Sequence, residues 1–298
     1  MSDLHIGIKT SPQAVDWVTL DAVWTRIGEQ PIFGSVWMND HLTDIGRDRA
    51  GASWEAMTAM AALAHHVPGR QLGHAVLSAT FRSPALTAKA ATVLDHVTGG
   101  RFILGLGAGW FEPEHTPFGI PFPPMPERFD RFESAVRTIK ALLSTDAATD
   151  AGVTRADPFV PLVGATNDPP PVRPGGPPVW LGGQKRRGIA LAAELADGWI
   201  LPAVLPDKSE TDMTYFEDRR DALLAALDAA GRDRAGFALV AQVPAGATPE
   251  TRRAALAGAI RARRSGATHV IVGIPPALGP TAVDDAVRDI AIPLRDAG

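Results

Sequence analysis

Three stretches of this chain carry residues whose types and spacing suit chemistry. Asp40-His41 sets a carboxylate beside an imidazole. Histidine is the side chain that exchanges a proton near neutral pH, and a neighbouring carboxylate can hold its tautomer; the plainer reading of such a pair is a solvated loop or a helix cap. Gly182-Gly183-Gln184-Lys185-Arg186 puts two bare backbone positions and two cations ahead of a helix start. That arrangement favours an anion at the positive end of a helix dipole, although Gly-Gly after a strand also serves as a tight turn. The third stretch, residues 99–110, reads GGRFILGLGAGW. An apolar strand there runs out into Gly105, Gly107 and Gly109, where no Cβ keeps a large flat group from the backbone. The spacing is GxGxG rather than GxGxxG, and Trp110-Phe111-Glu112-Pro113 does not open a helix, so it is not a dinucleotide fingerprint.

The remaining titratable groups point to less. His115 with Glu112 and Glu114 has the residue types of a metal site but no established ligand spacing, so no metal is expected. His65-His66 falls at a helix end, where a cation suits the dipole; His96 and His269 read as structural. The 298 residues contain no cysteine, which excludes disulfides, thiolate zinc and thiol catalysis together. A net charge of −4 with 45% apolar residues is ordinary for a globular protein and lacks the basic signature of a nucleic-acid binder. The start, MSDLHIGIKT, has neither the basic nor the apolar region of a leader. No apolar run reaches the roughly 18 residues of a membrane span. The expectation is a cytoplasmic enzyme without nucleic-acid or membrane partners.

The elements that must position these groups alternate. Short, continuously apolar runs at 4–8, 35–38, 72–77, 102–106, 178–181, 199–201, 237–241 and 269–272 read as parallel strands buried on both faces. Helical periods fall between them, near 18–27, 53–66, 184–196, 214–229, 249–264 and 281–290, and along Phe129, Phe132, Val136, Ile139 and Leu143. The cleanest has Leu86, Ala90, Val93, Leu94 and Val97 on one side, Ser83 as N-cap, Pro84 at N1 and Gly99 as terminator. Eight strands alternating with eight helices is the count of a single-domain (β/α)8 barrel. An open doubly wound sheet usually has fewer strands and a glycine-rich first turn; here that turn reads Lys9-Thr10-Ser11-Pro12-Gln13. The proline-rich segment 144–177, with Pro158, Pro161, Pro169, Pro170, Pro171, Pro174 and Pro177, precludes long regular elements and is either a surface insertion or a lid. In a barrel, residues just after the strands share one rim, where such enzymes keep their chemistry. Asp40, His41, Gly107, Gly109, Trp110, Gly182, Gly183 and Gln184 all fall there.

With those positions in hand, the chain resembles the bacterial-luciferase-like family of flavin and deazaflavin oxidoreductases. The resemblance runs through Val36-Trp37-Met38-Asn39-Asp40-His41-Leu42, Phe81-Arg82-Ser83-Pro84, residues 98–110 and PVWLGGQKRRGIALAAELADGWI at 178–200. It implies a (β/α)8 barrel binding coenzyme F420 or reduced FMN in its mouth. It further implies that Asp40 and His41 face the coenzyme ring and act in catalysis. Ala75-Val76, as a bulge with a non-proline cis bond, would brace the ring. Gly107 and Gly109 would let the coenzyme approach, and Gly182, Gly183 and Gln184 would hold its phosphate. A homodimer and a separate reductase supplying reduced coenzyme are implied as well. The sugar-phosphate branch has a catalytic glutamate where this chain has Trp110, which argues against sugar-phosphate oxidation and, with Phe111, for an apolar substrate wall. FMN monooxygenases of the family often carry another pair at Asp40-His41. The expectation is therefore an F420-dependent oxidoreductase acting on a small organic molecule, with an FMN-dependent monooxygenase and a non-catalytic ligand-binding barrel as rivals.

Overall fold

A computed structural model describes residues 4–45, 52–202 and 213–297. The strands are β1 (His5–Thr10), β2 (Ser35–Met38), β3 (Gln71–His74), β4 (Leu77–Ser78), β5 (Phe102–Gly107), β6 (Val153–Arg155), β7 (Leu162–Ala165), β8 (Val179–Gly182), β9 (Gly198–Pro202), β10 (Ala238–Pro244) and β11 (His269–Gly273). Apart from the antiparallel hairpin β6–β7, they form one parallel sheet in the order β3-β2-β1-β11-β10-β9-β8-β5-β4. The β3–β5 pairing closes it into a ring. β3 and β4 are two halves of one stave, so the barrel has the eight staves the sequence implies.

The break in that stave is a bulge. Gly73 pairs with Ile103 and Leu77 with Leu106, so four residues on one strand span three on its neighbour. One residue is extra, the definition of a β-bulge. It sits at Ala75-Val76, whose peptide bond is cis. Inward-facing side chains fill the barrel below it: Trp37 and Trp180 stack with centroids 5.2 Å apart, among Ile103, Ile200, Val240 and Ile271.

The outer layer holds α1 (Trp17–Gly28), α2 (Ala56–Leu63), α3 (Pro84–Thr98), α4 (Met125–Leu143), α5 (Arg186–Leu195), α6 (Met213–Ala229), α7 (Pro249–Arg264), α8 (Thr281–Ala286) and α9 (Ile292–Asp296). The helix expected at 281–290 is α8 followed by a wider turn, Val287–Ala291. Among the described residues, no helix is long and apolar enough to cross a membrane. α3 begins at Pro84 and ends on left-handed Gly99, as its sequence predicts, but its buried face differs from the apolar stripe. Thr87, Ala88, Ala91, Thr92, Leu94, Asp95 and Thr98 face in, while Leu86, Val93 and Val97 stay exposed. Partners from the 144–177 segment explain the polar inner face. Asn167 Nδ2 donates to Thr92 Oγ1 at 2.9 Å, and the Arg173 guanidinium and backbone N–H donate to the fully buried Asp95. Arg155 donates to Thr138 on α4, and Arg173 donates to the Phe102 carbonyl at the start of β5. The segment packs along the flank and foot of the barrel.

Candidate active site

The end of β2 sends two adjacent side chains in different directions. Asp40, 3% exposed, accepts a forked pair of hydrogen bonds from Arg82 at 2.7 and 2.8 Å and a third from the Ser78 N–H at 2.9 Å. It ties β2 to β4, immediately beyond the bulge, and to Arg82, two residues before α3. Arg82 also pairs with Glu55. Burial opposes the Arg82 charge, but the bonds and charge of Asp40 and Glu55 outweigh it and raise its pKa. Burial likewise opposes the Glu55 charge, while the hydrogen bonds from Thr58 and the Arg82 charge bring its pKa down to about 2. Asp40 and Arg82 form a shielded ion pair with the exposed Glu55 at its edge, so removing Asp40 strands the Arg82 charge.

His41 turns instead to Glu114. Its Nδ1 lies 3.0 and 3.2 Å from the two carboxylate oxygens, and the Leu42 N–H donates to Oε2 at 2.9 Å. A carboxylate accepts only, so the proton sits on Nδ1 and the basic lone pair on Nε2. Nε2 has no hydrogen-bond partner among the described residues. Glu114 is 2% exposed, held between an imidazole and a backbone amide. Trp110 and Phe111 stand edge-on to the imidazole at 5.8 and 6.3 Å, an apolar wall beside a proton-exchanging ring. Of the acidic group at 112–115, Glu114 supports His41. His115 is structural: its Nδ1 donates to the Phe111 carbonyl, and its Nε2 accepts from Thr80, which is bonded in turn to Ser78. The sequence holds both residues of the His41–Glu114 pair, but their separation of 73 residues hides the contact.

The three glycines of β5 and its extension face alternate residues of the bulged stave. A Cβ at Gly105 would run into the His74 carbonyl. One at Gly107 would lie 2.7 Å from Val76 Cγ2, and one at Gly109, whose φ is +75°, would lie 2.8 Å from Ser78 Oγ. Side chains alternate with period two on both strands, so the GxGxG spacing matches residues 74, 76 and 78. The close approach these glycines permit is that of the neighbouring strand. Val76 also packs against Gly182, 3.4 Å from where its Cβ would stand, so Ala75-Val76, Gly107 and Gly182 do come together. His74, fully buried beneath, has its pKa lowered by burial to about 4.

At the end of β8, Gly183 adopts a φ of +152° and packs against Gly188 of α5. Its carbonyl accepts from Trp199 Nε1 at 2.8 Å, and Gln184 Oε1 accepts from the Tyr215 hydroxyl at 2.9 Å. No side chain caps the first turn of α5, so its leading N–H groups suit an anion. Lys185 and Arg186 are exposed beside it.

Known proteins share this architecture. The chain is 34% identical over 183 residues to a phthiodiolone/phenolphthiodiolone dimycocerosates ketoreductase of Mycobacterium tuberculosis, covering 61% of this chain and 45% of that relative's length. It is 30% identical over 229 residues to an F420-dependent glucose-6-phosphate dehydrogenase of Beutenbergia cavernae, covering 72% of this chain and 65% of the other. The fold matches that of an F420-dependent secondary alcohol dehydrogenase, solved with an F420–acetone adduct, at a TM-score of 0.75 and 18% identity over 98% of this chain and 99% of the other. The luciferase-like monooxygenase profile matches residues 23–288, and the chain belongs to that family of oxidoreductases.

Proposed function

We propose that this chain moves a hydride between coenzyme F420 and a small ketone or secondary alcohol with an apolar body. The observation that carries it is the His41–Glu114 pair standing beside Trp110 and Phe111 at the strand-end rim. The relatives named for F420 dependence and ketone reduction support it. Coenzyme F420, when bound, supplies or takes the hydride at its ring carbon. The chain's own part is position and proton. His41 Nε2 takes the hydroxyl proton of an alcohol, or, protonated, delivers one to the oxygen of a carbonyl as hydride reaches its carbon. Glu114 holds the ring in place through its contact with Nδ1. Gly182, Gly183, Gln184 and the open first turn of α5 hold a phosphate; the uncapped N–H groups are what fits them to it. Val76, set between Gly107 and Gly182, braces the ring, while Asp40 fixes the bulge through Ser78. Titration of the purified chain with F420 and with FMN tests this. Tighter F420 binding, with bleaching of the oxidised coenzyme on adding a secondary alcohol, is expected. Tighter FMN binding, with oxygen uptake on adding reduced flavin, would establish a monooxygenase instead.

The exposed apolar stripe Leu86, Val93 and Val97 on α3 supports a homodimer, in which a second copy would cover it about a two-fold axis. Sedimentation of the parent as a dimer and of Val93→Glu as a monomer is the expected result.

A further inference from the structure

Lys9 on β1 and Asn39 just after β2 bring polar groups into the barrel mouth. Side chains alternate along a strand, and Trp37, two residues before Asn39, fills the barrel interior. Residue 7, two before Lys9, also faces inward, because a Cβ there would lie 2.8 Å from Trp37 Nε1. Lys9 and Asn39 therefore face the same interior from adjacent strands. The Lys9 stem passes 3.6 Å from where a Cβ of Gly273 would stand, and its Nζ donates to Gln242 Oε1 on β10 at 2.6 Å.

Asn39 is oriented by a chain of hydrogen bonds. Gln13 Nε2 donates to the Thr43 carbonyl, which can only accept, so the other amide atom of Gln13 is its oxygen. That oxygen accepts from Asn39 Nδ2 at 3.1 Å and from the Ser11 hydroxyl at 2.8 Å. Asn39 Oδ1 is thereby fixed as an acceptor, buried and without a partner among the described residues. Buried acceptors in folded proteins are satisfied by protein, water or ligand.

We infer that Lys9 and Asn39 recognise an imide edge, a carbonyl beside an N–H. Lys9 Nζ donates to the carbonyl oxygen and Asn39 Oδ1 accepts from the N–H. The pyrimidine-dione edge of a deazaflavin or flavin ring has this pattern. The assignment rests on the proposed coenzyme-binding function and adds the two side chains that orient the ring within the mouth. It assigns both a binding role and no part in proton exchange.

Fluorescence titration with F420 and with FMN, on the parent and on folded Asn39→Leu and Lys9→Met variants, tests the inference, with an N3-methylated flavin as third probe. Each variant is expected to bind the coenzyme favoured by the parent about tenfold more weakly, the effect of leaving one buried polar group unpaired. The parent is expected to reject the N3-methyl flavin, and Asn39→Leu to discriminate against it less. Unchanged dissociation constants in both variants overturn the inference alone, as does equal parental binding of the methylated and unmethylated flavins, which would assign Oδ1 to an ordered water. Failure of the parent to bind either coenzyme overturns the proposed function together with this assignment.

Discussion

The end of β2 and the end of β8 face the same mouth by opposite means. At β2 the work falls to polar side chains, each locked by a partner distant in sequence: Asp40 by Arg82 and His41 by Glu114. At β8 it falls to backbone, with Gly183 packed on Gly188 and an uncapped helix start. The difference shows that neighbouring residues need not share a role. Asp40 and His41 are adjacent in sequence, yet one holds the scaffold and the other presents a basic nitrogen.

The largest expected effect tests that division. Asp40→Ala strands Arg82 against Glu55 alone and should lower unfolding free energy by about 3–5 kcal/mol. His41→Gln, which still donates to Glu114, should change it by less than about 1 kcal/mol. Urea unfolding of both variants measures this, and equal losses would collapse the distinction. Turnover should show the reverse contrast. His41→Gln cannot exchange a proton and should slow hydride transfer by about 100-fold, read by stopped flow at the coenzyme absorbance; an unchanged rate leaves His41 as packing.

Acid should loosen the β2 side through His74, which lies beneath the bulge. Its pKa is about 4 in the folded protein against an ordinary 6.5, so the unfolded chain binds the proton first. Stability is full above about pH 6.5 and falls by about 1.4 kcal/mol per pH unit on the way down to pH 4. His269, lowered to about 3 by burial and the nearby His5 charge, adds a similar slope from the other end of the barrel. The His74 part is therefore the difference in slope between the parent and His74→Gln; identical slopes would remove it. The smallest effect sharpens the β8 side. Lys185→Ala should weaken FMN binding about threefold, as for an exposed cation at a helix start, and leave phosphate-free riboflavin unchanged. Equal losses for both ligands would separate Lys185 from phosphate recognition.

Much of the scaffold was legible because it depends on local periodicity. The eight staves, Pro84 opening α3, Gly99 closing it and the placement of Asp40, His41, Gly182 and Gly183 on strand ends all follow from residue pattern and turn chemistry. The α3 stripe was misleading for a physical reason. Periodicity marks an apolar face without saying what covers it, and here Asn167 and Arg173 satisfy polar groups on the opposite side.

Alternation of apolar runs and helical periods by itself determined the barrel and its shared rim, because burial on both faces of a parallel sheet constrains residues a few positions apart. Only the tertiary structure decided which partners those rim residues take. Glu114 reaches His41 across 73 positions, Arg82 reaches Asp40 across 42, and the β5 glycines face residues of a bulged stave about 30 positions earlier. Such contacts depend on closing the ring in one register, and a one-residue bulge shifts that register without leaving a periodic mark in the sequence.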